Sequence, residues 1–154
     1  MYKKYFIIIL TIIISWWPMM VVHEFGHAIS VLIFGGKIDK LILYPWRFSM
    51  TIRSGSLHPL IDIWAGPVIG VFFPLFIYLI FRKTRIKFFM GMFSGFCFIS
   101  NGIYIGTGWL DKIGDTKEMI NLGTPIYFMI LFGIVCTVSG LFIWHTEIEK
   151  SNNH

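Results

Sequence analysis

The chain has 154 residues, of which 56% are hydrophobic, 18% aromatic and only 14% charged. That charged fraction cannot clothe a soluble domain of this length, and the aromatic and aliphatic content is far too high for a disordered or fibrous chain. The formal charge of +5, from 13 Lys and Arg against 8 Asp and Glu, belongs in such a chain to membrane topology and anionic headgroups, so the expected surroundings are a lipid bilayer and no nucleic acid.

The start, Met1-Tyr-Lys-Lys followed by an Ile-rich run, has the basic and apolar regions of a signal peptide. Trp16-Trp17-Pro18 stands where small residues would mark a cleavage site, so the segment reads as retained. The apolar stretch runs from about residue 6 to 34, roughly 43 Å as a helix, which exceeds the roughly 30 Å hydrocarbon core and requires tilt, a kink or protrusion. Pro18 offers the kink and Gly35-Gly36 the stop. From Lys37 to about Leu60 charges enter, alternation replaces the apolar run, and Pro45, Gly55 and Pro59 supply turns. This reads as a short β-hairpin, tolerated at membrane depth only where protein covers it or it lines a wet cavity.

A second span follows at about 61–81, a tight basic loop from Arg82 to Lys87 closes it, and a third span covers about 88–106. Residues Thr107 to Gly123 are the most polar part of the chain, and a fourth span, about 124–144, precedes the polar tail His145 to His154. The fold class is thus an all-α polytopic membrane protein of about four transmembrane helices, with a small membrane-associated β-hairpin between the first and second, forming one domain over 1–154. Gly66, Gly70, Gly91, Gly95 and Gly102 at near-helical spacing suit close helix packing. Trp46, Trp64, Trp109 and Trp144 suit interfacial belts. The abundant Met and Phe read as lipid-facing bulk, and Cys97 and Cys136 as small buried hydrophobes. Basic residues divide evenly between the two sides, with Lys3, Lys4, Arg82, Lys83, Arg85, Lys87 and Lys150 facing Lys37, Lys40, Arg47, Arg53, Lys112 and Lys117. The dense 82–87 loop nevertheless argues for its own side as cytoplasmic.

Inside the first span stands His23-Glu24-Phe25-Gly26-His27, an HExxH pattern. Histidines four apart on a helix lie about 40° apart around the axis, so both imidazoles reach one metal, and Glu24 beside them reaches a water on it. Chance gives the pattern in roughly one chain in a hundred of this length. Three ionisable groups within a lipid-spanning helix are costly unless they serve a site or pair across helices, which makes coincidence a poor account. A catalytic zinc needs a third protein ligand and one open position. The extended HExxHxxGxxH is absent, since Ser30 takes the place of its Gly. The remaining candidates are His58, Asp62, Asp111, Asp115 and Glu118, and a carboxylate brings the site closest to neutrality. Asp62 reads as a helix-start residue, His58 as a loop residue and Glu118 as a solvated charge, leaving Asp111 and Asp115 after the third span.

These motifs resemble the intramembrane zinc metallopeptidases of the site-2 protease type, especially their minimal members. The resemblance rests on His23-Glu-Phe-Gly-His27, the Phe-Gly-Gly-Lys-Ile turn into the hairpin, Ala65-Gly66-Pro67, Asn101-Gly-Ile-Tyr, Gly114-Asp115-Thr-Lys-Glu-Met and Gly123-Thr-Pro125. It implies Zn2+ as cofactor, an aspartate as third ligand, a site facing the cytoplasm, and a bacterial cell membrane as the location. Leu110-Asp111 keeps the family's preceding Leu but is followed by Lys112, whereas Gly114-Asp115 with Met119 four residues on resembles the minimal members and favours Asp115. Gly70 departs from the pattern, because family members commonly carry Asn there, and Asn101 stands as a substitute or as an interhelical hydrogen-bonding residue.

The sequence therefore leads to an expected zinc-dependent intramembrane endopeptidase. His23, His27 and Asp115 would hold the metal, Glu24 would be the catalytic base, and the partner would be a transmembrane or membrane-proximal peptide substrate. The competing class is a non-catalytic zinc-binding subunit, transporter component or immunity-type protein. A di-iron oxygenase needs more histidine clusters than five histidines supply.

Overall fold

The computed structural model describes residues 2–152; Met1, Asn153 and His154, at the ends of the basic start and the polar tail, lie outside the described residues. The order is α1 (Tyr2–Ile33), β1 (Lys37–Ile42), β2 (Met50–Ser54), α2 (Pro59–Phe81), α3 (Lys87–Thr107), α4 (Gly114–Asn121) and α5 (Ile126–Asn152). Four of the helices, α1, α2, α3 and α5, are long and apolar enough to cross a membrane. The turns between them bring the C-terminal ends of α1 and α3, the hairpin, α4 and the N-terminal ends of α2 and α5 to one end of the bundle. The 82–86 loop and the C-terminal end of α5 lie at the other.

Helix α1 runs through Pro18 without a break, so the proline that offers the kink lies within the span. It stops where Gly35 adopts φ +75 and the Gly36 N–H donates to the Val31 carbonyl at 2.8 Å, a left-handed residue closing a helix. Strands β1 and β2 pair antiparallel, with an irregularity between Ile38 and Lys40. The hairpin folds back along α1 instead of standing clear of it. The Trp17 indole N–H donates to the Leu43 carbonyl at 3.3 Å, and Trp16 and Phe48 meet edge to face at 6.1 Å. The tryptophan pair, an odd choice for mid-span, is the surface on which the hairpin rests.

The closest helix pair is α3 with α5, joined along a seam of small residues. A Cβ on Gly106 would lie 2.9 Å from the Gly133 Cα, and one on Gly95 would lie 3.0 Å from the Gly140 carbonyl oxygen. Backbones can approach this closely in a bilayer only where side chains are absent. Three expectations are corrected. The polar segment Thr107–Gly123 contains a short helix, α4; helix α5 continues past Trp144 to Asn152; and Met19, Met20, Met92, Met119 and Met129 are buried. These flexible thioethers fill the uneven gaps between helices, while most of the large phenylalanines stay outside.

Candidate metal centre

On α1, His23 and His27 occupy the same face one turn apart, both buried. Their Nε2 atoms are 3.1 Å apart, and Asp115 Oδ2, in the first turn of α4, lies 2.8 Å from His23 Nε2 and 3.2 Å from His27 Nε2. One ligand atom from each residue falls within 4.8 Å of the other two. These separations approach the edge of a zinc tetrahedron, roughly 3.3 Å for metal–ligand bonds of about 2.0–2.1 Å.

The other ring nitrogens fix the tautomers. His27 Nδ1 lies 2.7 Å from the backbone carbonyl of Asp62, which can only accept, so Nδ1 carries the proton. His23 Nδ1 lies 2.7 Å from Asn101 Oδ1, and the orientation of that carboxamide is set because its Nδ2 donates to the Cys97 carbonyl at 2.9 Å. In both neutral rings the Nε2 lone pair therefore faces the cluster, where the Asp115 carboxylate adds a third. Three converging electron pairs are stable only around a cation, so the residues present fit a metal ion.

The surrounding sequence is shaped to this arrangement. At Gly66 a Cβ would come within 2.2 Å of His27 Nε2, and at Gly26 within 2.5 Å of the Ala65 carbonyl oxygen. Glycine at both positions lets α2 approach α1 closely enough to lay the Asp62 carbonyl on His27. Asp62 is fully buried, with Oδ1 accepting from the Ser30 hydroxyl at 2.6 Å. It is thus a helix-start residue, as expected, and also a support for the histidine, reached through its backbone. Asp115 is held from behind, its N–H donating to the Tyr104 hydroxyl at 2.9 Å, while Gly114 before it takes φ +51.

The other candidates fall elsewhere. Asp111 is exposed in the turn after α3. His58 precedes α2 and packs its ring on Phe34. Glu118, expected as a solvated charge, accepts an ion-paired hydrogen bond from Arg53 of β2 at 2.5 Å. Glu24 is buried beside the cluster and its Oε2 accepts from the Thr51 hydroxyl at 2.6 Å. Asn101 packs against Gly70, where a Cβ would meet its amide at 3.0 Å, so the carboxamide from α3 occupies the space that a side chain at position 70 would fill. Thr51 and the Asp62 carbonyl escaped the sequence reading, and Tyr104 entered it only as the last residue of Asn101-Gly-Ile-Tyr, with no role of its own. Thr51 had a local signal of its own, the alternation of Met50–Ser54.

A four-span helical membrane protein with an HExxH helix and a His-His-Asp cluster defines the class of membrane metallopeptidases. The family described as Peptidase M50B-like matches residues 4–105, well over half of the chain, and the protein belongs to that family. The match covers His23, Glu24, His27, Asp62 and Asn101 and ends before Asp115. No curated protein and no solved structure matches the chain. Span composition and family together make it an integral membrane protein.

Proposed function

We propose that this protein is a zinc-dependent intramembrane endopeptidase that hydrolyses peptide bonds in transmembrane or membrane-proximal segments. The observation that carries the reading is the convergence of His23 Nε2, His27 Nε2 and Asp115 Oδ2 with both Nδ1 atoms committed elsewhere. A zinc ion bound by His23, His27 and Asp115 would supply Lewis acidity and would lower the pKa of a water. Glu24, adjacent to His23 and buried, is placed to accept a proton from the attacking water and to give it to the departing amine. Asn101 and the Asp62 carbonyl keep the imidazoles in the tautomers that expose Nε2. The hairpin, lying along α1 with Met50, Ile52 and Ser54 outward, offers an edge on which an extended segment can add as a strand, bringing its carbonyl to the cluster.

One observation favours a second reading, a zinc-binding membrane subunit that does not hydrolyse. Gly70 carries no side chain, and the nearest carboxamide, that of Asn101, is engaged by His23 and the Cys97 carbonyl, so its oxygen and one amide hydrogen are already committed. The test is Glu24→Gln in reconstituted membranes against a panel of single-span peptides. Zinc content should match wild type while cleavage falls by about 10²–10⁴-fold. A zinc-loaded wild type that cleaves none of the panel, with cellular function intact in the Gln variant, establishes the second reading instead.

A further inference from the structure

Strand β2 presents alternate residues inward, and of these Thr51 is buried and Arg53 half-buried, whereas Met50, Ile52 and Ser54 are exposed. The period of two is what an extended strand imposes. It puts two polar side chains on the face that looks toward the metal cluster. The Thr51 hydroxyl donates to Glu24 Oε2 at 2.6 Å and sits 3.3 Å from the Glu24 carbonyl oxygen. Arg53 ties the same strand to Glu118 of α4, the helix whose first turn carries Asp115. The strand is thus fixed on both sides of the cluster, on α1 through Thr51 and on α4 through Arg53.

A glutamate side chain has three rotatable bonds, and a base that must meet one water in one place loses rate whenever it turns away. Among the described residues Thr51 is the hydrogen-bond partner of the Glu24 carboxylate, and it occupies a single oxygen, leaving Oε1 to receive the proton. We propose that Thr51 is a positioning residue for Glu24: its hydroxyl holds the carboxylate in the orientation that serves the metal's open position, so that the hairpin, besides receiving substrate, completes the catalytic group. The inference rests on the peptidase reading of the site.

The test uses the full-length protein, metal-loaded in detergent, and needs no known substrate. A peptidyl hydroxamate chelates the metal through two oxygens and bonds its remaining polar hydrogen to the neighbouring base, so its affinity reports the placement of Glu24. Azide binds the metal alone, and its affinity is read from the visible spectrum of the cobalt-loaded protein. Thr51→Val keeps the shape and the strand propensity and removes the donor. It is expected to weaken the hydroxamate about tenfold, the scale of one hydrogen bond to a charged group, with azide affinity and metal content unchanged. Thr51→Ser is expected to restore wild-type hydroxamate binding, and Thr51→Val added to Glu24→Gln to produce no further loss. Equal hydroxamate affinity in wild type and Thr51→Val overturns the proposal, as does a loss shared by azide or by metal content, which would make Thr51 a tie of the fold only. A wild-type protein that binds no metal overturns the reading of the site and this inference with it, a result distinct from either.

Discussion

The two ends of the bundle each hold a sheltered carboxylate, Glu147 buried and Asp115 half-buried, and they treat it in opposite ways. At the end holding the 82–86 loop, Glu147 of α5 is 2% exposed. It accepts from the Tyr78 hydroxyl at 2.8 Å and pairs with Lys87 at 3.6 Å and Lys150 at 3.8 Å. At the other end, among the described residues, the Asp115 carboxylate meets two imidazoles whose protons are spent on other acceptors, with Glu24 close by and Arg53 already joined to Glu118. One cluster carries its own cations. The other is rich in electron pairs, and among the described residues no lysine or arginine is paired with Asp115, which is the electrostatic mark of a binding site and not of a structural ion pair.

The largest effect that separates the two ends is loss of a histidine. His27→Ala or His23→Ala removes one of three converging donors, and the purified protein is expected to lose its bound zinc, measured by elemental analysis against about one zinc per chain in wild type. Full occupancy in the double variant would mean that the electron-rich end is not a metal site. Next comes the third ligand. Asp115→Ala should lower zinc affinity by more than the ~10–100-fold typical of outer partners, while Asp111→Ala, altering an exposed turn residue, should leave zinc content near wild type. A competition titration with a zinc chelator reads both, and the reverse ranking would move the role to Asp111.

What the sequence made legible follows the range of the physics involved. The four long helices and the paired histidines are local features, set by unbroken apolar runs and by the 3.6-residue turn, and they appear close to the expected positions. Helix α4 has eight residues and no long apolar run, too short to show a period, and it forms because Asp115 and Thr116 find partners in Tyr104 of α3 and in the carbonyl of Gly108 just past its end. The extension of α5 was equally hidden. Residues 145–152 read as a polar tail because the lysines and the tyrosine that neutralise Glu147 come partly from α2 and α3, distant in sequence. The hairpin was visible in its alternation, but its contact with Glu24 depends on the strand folding back along α1. That Asn101 supports His23 could be suspected from an amide in an apolar span, whereas the bond itself links residues 78 apart.

The smallest effect belongs to the self-neutralised end. Glu147→Gln keeps the shape and the acceptor for the Tyr78 hydroxyl and removes the charge that Lys87 and Lys150 share. Both lysines are partly exposed, with side chains 30% and 54% accessible, so water and headgroups replace much of what the carboxylate gave them, and the pairs are screened accordingly. The buried hydrogen bond is the larger part of the interaction, and with a neutral acceptor it weakens instead of vanishing. The expected outcome is a loss of stability of about 1 kcal/mol, seen as a modest fall in the thermal midpoint of the solubilised protein, with zinc affinity and hydroxamate binding unchanged. Glu147→Leu should cost more, because the Tyr78 hydroxyl is then left without its acceptor. A change in zinc affinity in either variant would show that the two ends communicate through α3, and the separation of a structural cluster from a chemical one would fail.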